Sequence, residues 1–87
     1  HRLDPGRSLI GRDLGVQVFV DDPHVSGRHA SIRCEKVAGS GAGEFVLRDL
    51  DSENGTSING QRVSGETVLK DGDIIALGQT ELVFKRV

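Results

Sequence analysis

The 87-residue chain has no tryptophan, tyrosine or methionine, a single cysteine and only two prolines. Phenylalanine, at three positions, is its only aromatic, so there is no platform on which unpaired bases could stack. A formal net charge of −2 supplies no cationic field, and nucleic acid or an acidic membrane surface is not an expected partner. One cysteine cannot build a disulfide framework. Cys34 shares the parity of Ala30 and Ile32 and is expected to be a small buried hydrophobe. Lack of disulfides fits a reducing setting, so a cytoplasmic location is expected, or a nuclear one in a eukaryote. The longest apolar run, Ile74-Ile75-Ala76-Leu77, falls far short of the roughly 20 residues a membrane-spanning helix needs. Nothing at the N-terminus reads as a signal peptide, and the first residue is His rather than Met. The expectation is one domain over residues 1–87, cut from a longer protein.

What is abundant is glycine. Twelve glycines interrupt every candidate amphipathic helix before three turns accumulate. Strand signals are stronger. Val16, Val18 and Val20 alternate with Gln17 and Phe19. Ala30, Ile32 and Cys34 alternate with Ser31 and Arg33, and Phe45 and Leu47 alternate with Val46 and Arg48. Asp21-Asp22-Pro23 ends the first run, because proline donates no ladder hydrogen bond. Gly39 to Gly43 forms a loop between two strands of a hairpin. Asn54-Gly55, Asn59-Gly60 and Lys70-Asp71-Gly72-Asp73 are turns, and strands over Ile74–Leu77 and Glu81–Val87 pair with Leu82 and Phe84 on one face. Short strands between regular turns predict an all-β fold, a sandwich or barrel of mostly antiparallel strands.

Such a fold needs only alternation and turns, and this chain carries more. The surplus lies in Gly11-Arg12, Ser26-Gly27-Arg28-His29, and Ser52 to Thr56 followed by Asn59-Gly60. Taken alone, Arg12 is a solvated surface arginine, Ser26 a turn residue and His29 a hydrogen-bonded packing residue. Together they supply what an oxyanion needs. A phosphate monoester carries about −1.5 to −2 charges at neutral pH and offers three acceptor oxygens. Arginine grips two of them with a planar fork, serine donates a hydroxyl, and glycine leaves backbone N–H groups open as a nest. Asparagine both donates and accepts, so it can hold the main chain of an extended peptide.

The ordered set Gly11-Arg12, Ser26 to His29, Asn54-Gly55-Thr56, Asn59-Gly60 and Leu69-Lys70-Asp71-Gly72-Asp73-Ile74 resembles the forkhead-associated (FHA) domain family, from about Leu9 to the C-terminus. The resemblance implies a twisted two-sheet β-sandwich whose loops at one end bind phosphothreonine peptides in partners or in the same chain, within Ser/Thr kinase signalling. It implies phosphate contacts from Arg12, Ser26, Gly27 and Arg28 and a peptide-backbone contact from Asn54. Gly11, His29, Gly55, Asn59 and Gly60 become loop architecture, and His24 and Glu53 become candidates for specificity. His1 to Leu3 would be the remnant of a first strand. Two positions depart from the family pattern. Gly27 stands where a basic or polar residue is common, and Glu53 where threonine or serine is common; a carboxylate there repels phosphate unless it points away or pairs with Arg12 or Arg28.

Other functions fit less well. Ser26, His29 and Asp51 contain the residue types of a hydrolytic triad, but Ser and His three apart in one loop are poorly placed for it, and no Gly-x-Ser-x-Gly elbow is present. No enzyme activity is expected. His1, His24 and His29 lack metal-ligand spacing, and a phosphate-binding Gly-x-x-x-x-Gly-Lys-Ser/Thr loop is missing, so neither metal nor cofactor is expected. The serious rival is a sandwich of the same fold that binds partners without reading phosphate.

Overall fold

The structure, a computed structural model, describes residues 7–36 and 43–85. The described residues form nine short strands and no helix. β1 (Arg7–Gly11), β2 (Val18–Phe19), β3 (Ala30–Lys36), β4 (Gly43–Asp49) and β7 (Glu66–Leu69) make one sheet, in the order β2-β1-β3-β4-β7. β5 (Thr56–Ile58), β6 (Gln61–Arg62), β8 (Ile74–Leu77) and β9 (Thr80–Val83) make the other, in the order β6-β5-β8-β9. All pairings are antiparallel except β1 with β2. The two sheets face each other as a sandwich, as the alternation and turn chemistry require.

Parity decides what each sheet buries. Ile32 opposes Leu47 across β3 and β4, and Phe45 opposes Leu69 across β4 and β7. These side chains point inward with Ile10 and Val18 and meet Ile58, Ile75 and Leu77 of the second sheet. Phe84 closes the interior, its ring edge-on to Phe45 at 5.3 Å and 61°. Each aliphatic side chain wholly removed from water contributes about 1.5–3 kcal/mol. The outer side of β4 carries Arg48 and Val46; Val46 lies between Arg33 and Val68 on the neighbouring strands, and Arg33 pairs with Glu35 and with Glu66 across the sheet.

Three strand expectations need correction. The Val16–Val20 alternation shrinks to a two-residue strand: the Val20 N–H still bonds the Gly11 carbonyl at 2.8 Å as a parallel ladder requires, but the Leu9 N–H is taken by the side-chain Oε1 of Gln17 at 2.7 Å instead of a backbone carbonyl. The last strand ends at Val83, after which Phe84 exchanges hydrogen bonds with the Gly72-Asp73 turn. Cys34 is half-buried rather than buried: near the end of β3 remote from the loops discussed below, its Sγ lies against Gly43. The proposed remnant strand at His1 to Leu3 and most of the Gly39–Gly43 loop lie outside the described residues, although β3 and β4 do pair as that hairpin requires.

Strand directions place the β1–β2, β2–β3 and β4–β5 connections at one end of the sandwich. The β8–β9 turn joins them there, since Thr56 opposes Leu77. Asn59-Gly60 does not. β5 is only three residues long, but it carries the chain to the other end, where Asn59-Gly60 turns back into β6.

Candidate functional site

Main-chain hydrogen bonds strap the three loops together. The Arg12 N–H donates to the Ser26 carbonyl (3.2 Å) and the Asp13 N–H to the Gly27 carbonyl (3.1 Å), so the first loop lies alongside the second. This close passage explains Gly11: a Cβ there would sit 2.0 Å from the Gly27 carbonyl oxygen. Gly27 is less constrained: its Cβ would fall 2.4 Å from Oδ1 of Asp13, the end of an exposed side chain rather than backbone. The glycine that departs from the family pattern therefore matches an aspartate on the facing loop.

His29 is fully buried and joins all three loops. Its N–H donates to Ile10 and its carbonyl accepts from Leu50. On the ring, Nδ1 accepts from the Ser26 N–H (3.0 Å), and Nε2 meets the Gly55 carbonyl at 2.8 Å. Accepting at Nδ1 fixes the tautomer with its proton on Nε2, donated to Gly55. Both ring nitrogens are thus spent on main chain, neither on the Ser26 hydroxyl. The triad types are not assembled, and Asp51 stands exposed in a left-handed turn with φ of 54°.

A second hub shapes the third loop. Asp49 Oδ1 accepts the hydroxyls of Ser52 (2.5 Å) and Thr56 (2.8 Å), while Oδ2 accepts the Ser52 N–H (3.1 Å). Ser52 Oγ in turn accepts the Gly55 N–H at 3.0 Å. Desolvation pushes the Asp49 carboxyl up, but the Ser52 and Thr56 donors outweigh it and hold it below its ordinary value of 3.8. Gly55 has φ of 81°, where a side chain is strained. Beneath the second loop, Asp22 accepts from the His24 N–H (2.8 Å), the Gln79 N–H (2.8 Å) and the Thr80 hydroxyl (2.8 Å), clamping the loop to the β8–β9 turn. The His24 N–H and then the Thr80 hydroxyl lower its pKa. Sequence reading assigns no site role to Asp49, to Ser52 at the start of the third polar segment, or to Asp22 in its strand-ending turn. The local halves of these motifs, aspartate bonded two or three residues ahead, are ordinary Asx-turn patterns; their long-range halves leave no sequence trace.

After these ties are counted, a distinct set of groups remains unspent. The Ser26 hydroxyl accepts from the Glu53 N–H (3.1 Å) and keeps its proton free to donate. Arg12 and Arg28 are exposed, and neither guanidinium makes an ion pair among the described residues. Asn54 spends Nδ2 on the His24 carbonyl (2.7 Å), leaving Oδ1 available. Gly27 is half-exposed in the same loop as Ser26. Glu53 meets Ser26 through its main chain, and its exposed carboxylate pairs with neither Arg12 nor Arg28 among the described residues. His24 is exposed on the second loop. One end of the sandwich thus offers two guanidinium groups, a hydroxyl, an open glycine and an amide on a frame held by backbone.

Asn59 contributes elsewhere. With φ of 51° it turns β5 into β6; its Nδ2 donates to Asp73 (2.9 Å) and its Oδ1 accepts from the Ile74 N–H (3.0 Å). The Lys70 N–H and then the Asn59 amide hold Asp73 below its ordinary pKa.

Known proteins are similar to this chain in sequence and fold. The chain is 39% identical over 86 residues to the FHA domain-containing protein FhaA of Mycobacterium tuberculosis, covering 98% of this chain and 15% of FhaA. A crystal structure of the FhaA FHA domain complexed with the intracellular domain of Rv3910 is similar to it with a TM-score of 0.81 and 38% identity, covering 95% of this chain and 84% of that one. The glycogen accumulation regulator GarA of Mycolicibacterium smegmatis is 39% identical over 82 residues, covering 94% of this chain and 48% of GarA. A structure from an analysis of phosphothreonine-dependent FHA domain interactions matches with a TM-score of 0.86 and 37% identity, covering all of this chain and 83% of that one. The chain therefore spans less than half of these two curated relatives. The FHA domain profile matches residues 8–78, a stretch that contains the β1–β2, β2–β3 and β4–β5 loops, and the chain belongs to the FHA domain family.

Proposed function

We propose that this chain is a phosphothreonine-dependent recognition module, binding phosphorylated segments of a partner protein or of its own parent chain in Ser/Thr kinase signalling. Arg12 and Arg28 clamp the phosphate oxygens, the Ser26 hydroxyl and the Gly27 N–H donate to them, and Asn54 holds the peptide backbone through Oδ1. Gly11, His29 and Gly55 keep these donors in place, while Asn59 and Gly60 secure the opposite end. The observation that carries the proposal is the division of labour in the loops: backbone and buried side chains hold the frame, and the donors suited to an oxyanion are left over, all at one end. His29 has no nitrogen free for proton transfer, which supports a binding module without catalytic activity. No described helix is long and apolar enough to cross a membrane, and we place the module in the cytoplasm as the setting of a kinase-written mark.

The test is a degenerate phosphothreonine peptide library titrated beside its unphosphorylated twin. The phosphorylated pool alone should bind. Arg12→Ala should weaken it about 10- to 100-fold, as expected for losing charge-assisted hydrogen bonds, with the melting temperature unchanged. Equal binding of both pools would end the proposal. It would favour a phosphate-independent contact, for which the directly paired Ile74 and Val83, 40% and 56% exposed on the outer face of the second sheet, are the natural surface.

A further inference from the structure

Arg62 lies outside every motif considered so far, yet it borders the proposed site. It is the last residue of β6, and the adjacent Val63 N–H donates to the Thr56 carbonyl (2.8 Å), bringing the chain back to the loop end. A Cβ built on Gly55 would lie 2.8 Å from Arg62 Nε and 2.9 Å from both Cζ and Nη2. Near-equal distances to three atoms of one plane mean that the guanidinium rests face-on against Gly55, the residue next to Asn54. In that pose its N–H groups, which lie in the guanidinium plane, point along the surface and not into the loop. Arg62 is exposed and forms no ion pair among the described residues. The planar cation thus packs on the buried Gly55 with its fork open to solvent.

We propose that Arg62 is a specificity-determining residue that selects peptides carrying a carboxylate side chain close to the phosphothreonine. The inference rests on the phosphopeptide reading above. In this reading Asn54 grips the peptide backbone, Arg62 packs on Gly55, the next residue of that loop, and an extended peptide advances about 3.3 Å per residue. An aspartate or glutamate within three positions of the phosphothreonine can therefore reach the Arg62 fork and be held by paired N–H donors. Asp13 provides the contrast. Its carboxylate lies against Gly27 on the opposite loop, so the site is bordered by a cation on one side and an anion on the other.

The experiment uses phosphothreonine peptides on an alanine background, with each position from three before to three after the phosphothreonine set in turn to Glu, Gln or Lys. Affinities are read by fluorescence anisotropy for the wild-type chain, Arg62→Gln and Arg62→Glu. At one flanking position the wild type should prefer Glu over Gln about three- to fivefold, the size expected of an exposed but well-oriented ion pair. Arg62→Gln should erase that preference and leave the all-alanine phosphopeptide within about twofold, while Arg62→Glu should transfer the preference to Lys. A uniform loss across all peptides would overturn the inference, because Arg62 would then be serving the phosphate or the loop. So would a Glu preference that survives Arg62→Gln, or a wild type indifferent to Glu. If the wild type fails to separate the all-alanine phosphopeptide from its unphosphorylated twin, phosphopeptide recognition itself falls and this inference falls with it; the control peptide keeps the two failures distinguishable.

Discussion

Two Asn-Gly pairs lie five residues apart in this chain and do different work. Asn59 engages both ends of its amide within the fold, donating to Asp73 and accepting from the Ile74 N–H, and so is tied into its turn. Asn54 spends one arm on the His24 carbonyl and keeps its oxygen available. The dipeptide is the same; the surroundings decide. Asn59 faces a tight turn with an unpaired N–H and a carboxylate close by, whereas Asn54 faces a single carbonyl of a neighbouring loop. The comparison separates the loop groups into saturated ones that build the frame (His29, Asp49, Ser52, Asp22) and ones with spare capacity, the proposed ligand contacts (Arg12, Ser26, Arg28, Asn54). A group already satisfied by the fold has nothing to gain from a ligand, while a preorganised group with spare capacity does.

The largest test of this division is His29→Ala, a saturated member. It leaves the Ser26 N–H and the Gly55 carbonyl without their partner and opens a cavity, so chemical denaturation should show a loss of about 2–4 kcal/mol in stability. An unchanged melt with lost binding would move His29 to the ligand-contacting class. Next come the two asparagines. Asn59→Ala should cost about 1–2 kcal/mol of stability and leave the phosphopeptide affinity of the folded protein intact. Asn54→Ala should do the reverse, weakening binding about five- to tenfold with a stability change under about 1 kcal/mol. If both variants lose stability alike, the two pairs are not distinct.

Acidity probes the saturated carboxylates. Asp49, Asp22 and Asp73 all have folded-state pKa values below the ordinary 3.8. Between the depressed and the ordinary values the unfolded chain binds more protons than the folded one, so stability rises with pH through that window. These carboxylates should therefore make the melting temperature fall as the pH drops below about 4. A melt unaffected by acid would show that these hubs do not act as ionised acceptors. The smallest effect is expected at Glu53, whose carboxylate makes no ion pair among the described residues and lies beside the proposed phosphate donor Ser26. Glu53→Thr should tighten phosphopeptide binding about two- to fivefold by removing a like charge, and no change would place that carboxylate out of range.

Much of this was legible beforehand because it depends on local rules. Alternation at Ile32 and Leu47 identifies the inward faces, and glycines at Gly55, Gly60 and Gly72 mark turns that the backbone makes with positive φ. Gly11, Ser26, His29 and Asn54 stood out because polar residues followed apolar runs in a fixed order. What escaped depends on distant partners. Asp22 reads as a strand-ending turn residue, and only the fold brings Gln79 and Thr80 to it. Asp49 attracts no notice in sequence, and its role emerges only when Ser52, Gly55 and Thr56 close around it. Arg62 escaped for the same reason, since its contact with Gly55 requires β6 to pair with β5. Asn59-Gly60 looked like a neighbour of the binding loops because sequence proximity hides which way a three-residue strand points.

The most direct measurement is amide chemical-shift mapping of the isotopically labelled chain with a phosphothreonine peptide and with the same peptide dephosphorylated. The largest shifts should fall on Arg12, Ser26, Gly27, Arg28 and Asn54 and appear only with the phosphorylated peptide. Shifts centred on Ile74 and Val83, or equal shifts from both peptides, would contradict the claim that these three loops hold the phosphate.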